Sequence, residues 1–409
     1  MSQTTRARRP VAQSELTALA AITLLAALLR FPTLDVQSLW LDEAVSAQMV
    51  AGDLGELFHS LEFEASPPLY YLLAFGWTKL FGTGEFTFRS LSALAGVLTV
   101  PVVFLAAREL GGRRAGVIGA TLAAVSPALV WYSQEGRTYA LTILLTGLGF
   151  LFFLRALKTG GRGALPWWAA LSAAAIATHY FAVFLVGVEA VWLVAARPDR
   201  GRVIGFSAIP VLTGLALLPL VAVQREQGVG AHLGNDSLAG RVTGAPELMI
   251  LGEKAPPFTG AFAIAFVLAA LGAVLLFTHP SGSAKRLALV AGGVGLATCA
   301  VPVLLAVAGL DYVYPRNLLI AWIPLAVALS VALSSAHAPR VGIAVSSGLV
   351  LLGLATAGLR RWHGRADALA LEPQARRSRG AARADQGDEG LARGGQGVRL
   401  RQSCGVRAF

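Results

Sequence analysis

The sequence is poor in charged residues. Asp, Glu, Lys and Arg make up only 14% of its 409 residues, whereas 55% are hydrophobic. Ordinary soluble domains carry about 25% charged residues. A chain of this length could not cover a water-facing surface with so few charges, so the composition excludes a soluble globular protein.

Cysteine is nearly absent as well. Cys299 lies in an apolar run and Cys404 lies near the C-terminus, a number and placement that exclude a disulfide or cysteine-metal framework. The first apolar run also lacks the small residues of a signal-peptide cleavage site, because Arg30-Phe31-Pro32 follows it. We therefore expect an uncleaved first helix.

Long apolar runs are what the sequence has in abundance. A hydrocarbon core of about 30 Å needs about 20 apolar residues per helix, and a helix satisfies its own backbone hydrogen bonds in lipid. The sequence thus predicts an all-α polytopic membrane protein with about eleven transmembrane helices. The runs cover residues 15–31, 88–107, 112–131, 138–156, 166–181, 182–196, 203–223, 258–278, 287–309, 317–335 and 340–358.

The net charge of +11 alone would suggest a nucleic-acid partner, but basic residues sit in the short loops beside these runs, where they orient the helices, so no nucleic-acid partner is expected. If each run crosses once, the basic loops share one side, which the positive-inside rule makes cytoplasmic. We expect a multi-pass protein of the cell inner (plasma) membrane. The basic loop residues are Arg108, Arg113, Arg114, Arg155, Lys158, Arg162, Arg197, Arg200, Arg202, Lys285, Arg286 and Arg340.

Two outer segments differ from the spanning runs. Residues 67–81 are apolar but would form only about 22 Å of helix, and they contain Lys79. They predict a juxtamembrane helix in the first outer loop. Residues 224–257 are polar and rich in Gly and Pro, which predicts a flexible flap over a cavity.

The C-terminal segment has a different composition. Residues 1–359 form the predicted transmembrane domain, whereas residues 360–409 contain 11 arginines, 5 acids and no lysine. Such a composition cannot bury a core and predicts a disordered tail. One hypothesis is that a frameshift produced this Arg/Gly/Ala-rich sequence, and the alternative is a natural basic tail.

An acidic pair follows the first helix. Asp42 and Glu43 stand at the membrane edge, where carboxylates are costly and usually mark function. Neighbours on a helix lie about 100° apart, so the two side chains would not share a face. One can enter a cavity while the other faces water, although a solvated, inert pair at a helix end fits the spacing equally well.

Three further outer loops carry polar side chains. In residues 131–139, Arg137 with Tyr139 resembles a phosphate clamp, since guanidinium binds phosphate oxygens in a bidentate way. A snorkelling arginine with an aromatic belt is the alternative. Residues 311–317 form a third cluster, and His179 at a hairpin tip is an interfacial residue or a ligand. The convergence of four outer loops on one membrane face indicates an interfacial site.

These residues resemble a known family. The motifs Trp40-Leu41-Asp42-Glu43-Ala44, Pro67-Pro68-Leu69-Tyr70-Tyr71, Phe81-Gly82 with Glu85-Phe86 and Arg89, and Trp131-Tyr132-Ser133-Gln134-Glu135 with Arg137 and Tyr139 are similar to those of glycosyltransferase family 39. This family contains GT-C-fold enzymes related to protein O-mannosyltransferases and aminoarabinose transferases. The resemblance runs from about residue 15 to residue 335, in matching order.

The resemblance implies a function and roles. The chain would transfer a sugar from a polyprenyl-phosphate donor to an acceptor hydroxyl at the outer face, with inversion and with Asp42 as the base. Glu43 would orient the acceptor or hold a divalent cation, the one cofactor considered. Phosphate or substrate contacts are expected from Arg137, Tyr139, Gln134, Glu135, Tyr70, His179, Tyr314 and Arg316.

The sequence also departs from the family. Ser66 stands where the family usually has a histidine before the double proline, with Glu64 two residues earlier. The late cluster reads Tyr314-Pro315-Arg316, which differs from the family's Arg-Tyr order. The sugar is mannose-like by family, with arabinose-type sugars as the alternative, and the acceptor is a protein, a lipid or a glycan.

Two other functional classes compete with an enzyme. A transporter or lipid flippase often carries charges at mid-membrane depth, but the helix centres here are nearly uncharged, Glu189 being the chief exception. A membrane scaffold would not need acids and arginines converging from four loops. Both features favour interfacial chemistry.

Overall fold

The protein folds as a bundle of α-helices. The computed structural model describes residues 12–158, 163–229, 237–252, 259–278, 282–335 and 339–355. No β-strand occurs in these ranges, so the predicted all-α class is confirmed. The helices are Gln13–Arg30 (α1), Leu41–Ala51 (α2), Leu54–Ser60 (α3), Leu69–Phe81 (α4), Glu85–Val125 (α5), Pro127–Ser133 (α6), Tyr139–Lys158 (α7), Ala164–Thr178 (α8), Ala182–Ala196 (α9), Arg200–Glu226 (α10), Leu238–Leu251 (α11), Thr259–Thr278 (α12), Ser283–Val307 (α13), Trp322–Leu333 (α14) and Pro339–Ala355 (α15).

Each of the eleven predicted apolar runs coincides with helical structure. Within the described residues, six helical segments are long and apolar enough to cross a membrane, and α8, α9, α15 and residues 262–276 of α12 are shorter apolar helices. The predicted tail, residues 360–409, lies outside the described residues. The number of crossings stays a prediction.

Helix α5 is a hairpin of two helices. As one continuous helix its 41 residues would be about 60 Å long, twice the hydrocarbon thickness. The backbone instead breaks at Gly112, which has φ 76° and ψ −166°. A Cβ at Gly119 would lie 3.2 Å from the Cβ of Ala107, whereas a straight helix would separate these positions by about 18 Å. The chain therefore reverses at Gly112, the first residue of the second of the two runs predicted from the sequence.

The bundle has a basic end. Arg108 pairs there with Glu15 at 3.0 Å, near the start of α1. Arg155 and Lys158 at the end of α7 both pair with Glu109, at 3.2 and 3.7 Å. The start of α1, residues 108–109 and the end of α7 thus meet at one end of the bundle, and each lies at a segment predicted to be cytoplasmic.

The opposite end carries the outer loops. Arg30, the last residue of α1, donates hydrogen bonds to the carbonyls of Ala123 and Ala124 at the end of α5. The Nε2 of Gln134 donates to the Arg30 carbonyl at 2.9 Å and to the Thr33 hydroxyl at 2.6 Å. Glu15, at the basic end, and Arg30 are separated by about 22 Å along α1. The acidic and aromatic loops near Arg30 therefore lie at the opposite end of the bundle from the basic loops.

Helix α4 is the predicted juxtamembrane helix. Its 13 residues give about 20 Å of helix, too short to span a bilayer at right angles. One face buries Tyr70 and Tyr71 completely, and the other exposes Leu73 and Leu80. An apolar helix with one face against protein and one exposed fits a position beside the membrane.

The region predicted to be a flexible flap contains helix α11. The Arg241 side chain in this helix binds both carboxylate oxygens of Asp311 and the Val313 carbonyl. Both carboxylate contacts hold the pKa of Asp311 below its usual value. Residues 238–251 therefore form an ordered helix fixed to the loop at residues 309–314, and the predicted flexibility is wrong for them.

Candidate active site at the outer end of the bundle

The acidic pair begins helix α2. Trp40 has extended backbone and α2 starts at Leu41, so Asp42 and Glu43 both lie in the first turn. Glu43 is 1% exposed, whereas Asp42 is half-buried. The two carboxylates face different directions, as the 100° rotation per residue predicted.

Glu43 is fully engaged inside the protein. Arg89 of α5 donates to both of its oxygens, at 2.8 and 2.5 Å. The backbone N–H of Gly136 donates to the same carboxylate at 2.7 Å. A Cβ at Gly136 would lie 2.0 Å from the Phe88 ring, so only glycine allows this approach. Glu43 thus joins α2, α5 and the loop at residues 134–138.

Arg89 also fixes the segment that leads into α2. Its guanidinium donates to the carbonyls of Leu34, Gln37 and Ser38, at 2.7, 2.6 and 3.3 Å. With Glu43, these contacts occupy the planar donor fork of the arginine. The start of α2 is therefore held to α5 through one buried cation.

Asp42 has a different environment. Its carboxylate has no hydrogen bond or ion pair with any residue that the structure describes. Its backbone carbonyl accepts from the Ser46 hydroxyl at 2.8 Å and from Nη1 of Arg137 at 3.4 Å. An unengaged acid therefore stands beside a buried guanidinium from a later loop.

Arg137 is held by a second buried acid. Its Nη1 and Nη2 donate to the two carboxylate oxygens of Glu64, each at 2.9 Å, and Nη1 also donates to the Ser46 hydroxyl at 2.7 Å. Arg137 and Glu64 are both under 10% exposed. The buried Nε–H of Arg137 has no acceptor among the described residues. The bidentate pair holds the guanidinium in one orientation and leaves one N–H available.

A small cleft adjoins Arg137. It is partly open to the surroundings and has room for about one water molecule. The Arg316 guanidinium stacks over the rings of Tyr139 and Tyr314, with distances of 5.7 and 4.5 Å to the ring centroids. The cleft is lined by Tyr139, Thr142, Ile143, His179, Arg316, Asn317, Leu319 and Ile320.

His179 contributes a neutral imidazole to this cleft. His179 is 7% exposed. Its Nδ1 accepts from the Phe181 backbone N–H at 3.2 Å, so the proton of the neutral ring is on Nε2. His179 is therefore a hydrogen-bond donor at neutral pH.

Three of the residues expected to contact substrate are occupied by protein contacts. Tyr70 is fully buried, and its hydroxyl pairs at 3.0 Å with Ser92, which donates to the Arg137 carbonyl at 3.2 Å. Gln134 binds the end of α1, as described above. Glu135 is only 7% exposed. These side chains lie around the site and support it.

The described residues contain no group of three His, Cys, Asp or Glu side chains that could hold a metal ion. Glu43, considered as a cation ligand from the sequence, has its oxygens taken by Arg89 and Gly136. The Glu43 carboxylate is therefore not available as a cation ligand.

Sequence reasoning missed the partners of the charged residues. Arg89 appeared in a motif without a role, and Glu64 was noted only for its place near the missing histidine. Ser46 gave no signal at all. The buried state of Glu43 and Arg137 could have been suspected from their position near lipid, because buried charges need partners.

Comparisons with known proteins agree with the predicted resemblance. Residues 65–224, about two fifths of the chain, match the family model described as dolichyl-phosphate-mannose-protein mannosyltransferase. No curated protein matches the sequence significantly. The structure is similar to ArnT from Cupriavidus metallidurans bound to undecaprenyl phosphate, with a TM-score of 0.58 and 21% identity over 84% of this chain and 63% of ArnT.

The apo form of the same ArnT gives a TM-score of 0.55 and 19% identity, over 79% of this chain and 60% of ArnT. This chain thus spans less than two thirds of ArnT. At these identities the likeness establishes the fold, and the predicted GT-C-type bundle is confirmed.

Proposed function

We propose that this chain is a membrane glycosyltransferase that moves a sugar from a polyprenyl-phosphate donor to an acceptor hydroxyl. The observation that carries the proposal is the unengaged carboxylate of Asp42, a residue whose backbone carbonyl accepts a hydrogen bond from Arg137. Arg137 in turn lies near His179, which lines the cleft together with Arg316. The family match and the fold shared with an undecaprenyl-phosphate-binding protein support the same donor class.

Asp42 is the base in this proposal. Its carboxylate takes the proton of the acceptor hydroxyl while the acceptor oxygen forms a bond to C1 of the sugar. The bond between C1 and the phosphate oxygen breaks, and its electron pair leaves with the polyprenyl phosphate. One displacement inverts the anomeric carbon, and the departing phosphate needs no added proton.

Arg316 and His179 receive the phosphate in this proposal. A half-buried guanidinium and a neutral imidazole N–H in one cleft are donors for a phosphodiester and for the charge that grows on it. Tyr139 and Tyr314 hold Arg316 in place by stacking.

Arg137 adds positive potential and one free N–H beside the phosphate. Because Glu64 binds both of its terminal nitrogens, Arg137 is not available for a bidentate contact with the phosphate. Glu43 acts through Arg89 and Gly136 as a positioning residue for the turn that carries Asp42. Tyr70, Gln134 and Glu135 support the loop at residues 134–138.

We place the reaction at the extracytoplasmic face of the cell inner (plasma) membrane. The site lies at the end of the bundle away from the basic loops, which the positive-inside rule assigns to the cytoplasm. A mannose-like sugar follows from the family, and the acceptor is a protein, lipid or glycan hydroxyl.

Vesicles that carry the purified protein, supplied with labelled polyprenyl-phosphate mannose or arabinose-type donors and a membrane extract as acceptor, test the proposal. A glycosyltransferase moves the label from the lipid to another molecule. A flippase moves the intact labelled lipid to the other leaflet, and a scaffold changes neither. Intact lipid in both leaflets with no transferred label would refute the proposal.

A further inference from the structure

Gln224 is an unusual buried residue at the outer end of helix α10. This helix of 27 residues is mostly exposed, and only Val203, Pro210 and Gln224 are buried along it. Gln224 is 4% exposed. One of the few buried side chains of α10 is thus polar. A buried amide needs hydrogen-bond partners within the protein.

The Gln224 amide uses all of its main hydrogen-bonding capacity. Its Nε2 donates to the carbonyl of Leu61 at 2.8 Å and to that of Ser66 at 3.3 Å. Its Oε1 accepts from the Tyr180 hydroxyl at 2.9 Å. The two donors and the one acceptor fix which amide atom faces which partner. Three separate chain segments therefore meet at one side chain.

The two carbonyls that Gln224 binds stand on either side of Glu64. Residues 61–66 therefore form the Glu64 turn, whose carboxylate accepts two hydrogen bonds from Arg137. Arg137 also donates to the backbone carbonyl of Asp42. The third partner of Gln224 is Tyr180, which follows His179 in the chain. His179 lines the cleft. Gln224 thus touches the supports of both parts of the site without contacting the cleft itself.

We propose that Gln224 is a positioning residue that holds the Glu64 turn, and through it the Arg137 guanidinium, in register with the donor cleft. Through Gln224, a shift of α10 would move the Glu64 turn and the Arg137 guanidinium. A displacement of about 1 Å at a binding group can reduce a rate about 100-fold, so the hold on this turn is sufficient to govern donor use. The inference deepens the proposed function and rests on it for its kinetic part.

Gln224→Met tests the inference, because methionine keeps the length of the side chain and removes its hydrogen bonds. Gln227→Met, on the exposed side of the next turn, is the matched control. Hydrogen–deuterium exchange at the amides of residues 61–66 is the first readout. We expect exchange at least about 10-fold faster in Gln224→Met than in wild type or in the control, and unchanged exchange would overturn the proposal.

The second readout is donor kinetics. We expect the donor KM of Gln224→Met to rise about 10-fold or more, with a smaller change in kcat and none in the acceptor KM. Faster exchange with an unchanged donor KM would overturn the coupling to the site. A wild-type protein that consumes no donor would refute the proposed function, while the exchange result would still decide whether Gln224 holds the turn.

Tyr180→Phe provides a milder variant if Gln224→Met does not fold. It removes only the hydrogen bond to Oε1 and leaves both carbonyl contacts of Gln224 available. We expect changes in the same direction and of smaller size in both readouts. Wild-type exchange and wild-type donor KM in this variant would count against the proposal.

Discussion

Charged residues of the site fall into two groups. Glu43 with Arg89, and Glu64 with Arg137, are buried bidentate pairs whose partners come from different helices or loops. Asp42 and Arg316 are partly exposed. The buried pairs hold the surrounding segments together, and in the proposed function the partly exposed charges meet the substrate.

Arg316→Ala is expected to weaken the use of donor. Removing a donor to a growing negative charge typically costs about 100- to 1,000-fold in rate. We expect the kcat/KM for a labelled polyprenyl-phosphate sugar to fall by about that factor. Arg316→Lys should recover only part of the activity, because an ammonium cannot form the planar bidentate contact.

Arg225→Ala is the control for Arg316. Arg225 is an exposed arginine at the same end of the bundle, where it stacks over Tyr312 at 5.8 Å. We expect its kcat/KM to stay within about twofold of wild type, since screened surface charges contribute little. Equal losses in Arg225→Ala and Arg316→Ala would mean that general surface charge, and not the cleft, governs donor use.

Arg89→Ala is expected to destabilise the fold strongly. Removing one partner of a buried ion pair typically costs about 3–5 kcal/mol, because the other charge stays buried without compensation. The side chains of Arg89 and Glu43 are 5% and 1% exposed. Thermal unfolding of the purified variant in detergent measures the change.

Arg108→Ala gives the comparison at the basic end. The side chains of Arg108 and Glu15 are 22% and 8% exposed, so this pair is less buried than Glu43–Arg89 and its loss should cost less than about 3–5 kcal/mol. We expect a smaller loss of stability than in Arg89→Ala. A similar loss in the two variants would contradict the structural role given to the Glu43–Arg89 pair.

At the scale of single residues, the sequence pointed to the candidate site residues but not to the side chains that hydrogen-bond to them. Asp42 and Arg137 stand in short motifs, and the structure brings them together. Their contacts depend on Glu64 and Arg89, which are 73 residues from Arg137 and 46 residues from Glu43 along the chain. A single sequence contains no local signal for pairings over such distances, so the engagement of Glu43 and Arg137 could not be foreseen.

Helices were the most predictable elements. The apolar runs mark them because burial in lipid acts on every residue of a spanning segment, so the signal is local and strong. Helix α11 has no such run, and its order comes from contacts with the loop at residues 309–314. Composition alone suggested flexibility there, since tertiary contacts override local preference.

Gly112→Ala is expected to destabilise the α5 hairpin. The φ of 76° and ψ of −166° at Gly112 lie in a region that other residues enter at a cost of about 1–3 kcal/mol. A Cβ there meets no atom within 4 Å, so the loss would come from the backbone alone. Thermal unfolding in detergent measures it.

Gly205→Ala is the matched control. Gly205 is exposed within α10 and also has open space around it. Alanine should leave stability unchanged or raise it by up to about 1 kcal/mol, because it favours the helix. A Gly112→Ala protein as stable as Gly205→Ala would show that the reversal at Gly112 does not require glycine.

The bundle formed by the described residues is polarised along its length. Basic loops and their paired acids occupy one end, while the unengaged acid, the buried ion pairs and the aromatic cleft occupy the other. The long, apolar bundle between them holds the two ends about one bilayer apart. This arrangement suits a reaction between a lipid-borne phosphate and an acceptor at the membrane surface.

Asp42→Asn gives the most direct test of this account. The change keeps the size of the side chain and removes the base, which typically contributes about 100- to 10,000-fold to a rate. Binding and consumption of a labelled polyprenyl-phosphate sugar are measured on the same purified protein. We expect Asp42→Asn to bind the donor within about twofold of wild type and to lose transfer by at least about 100-fold. Transfer at the wild-type rate by Asp42→Asn would contradict the account.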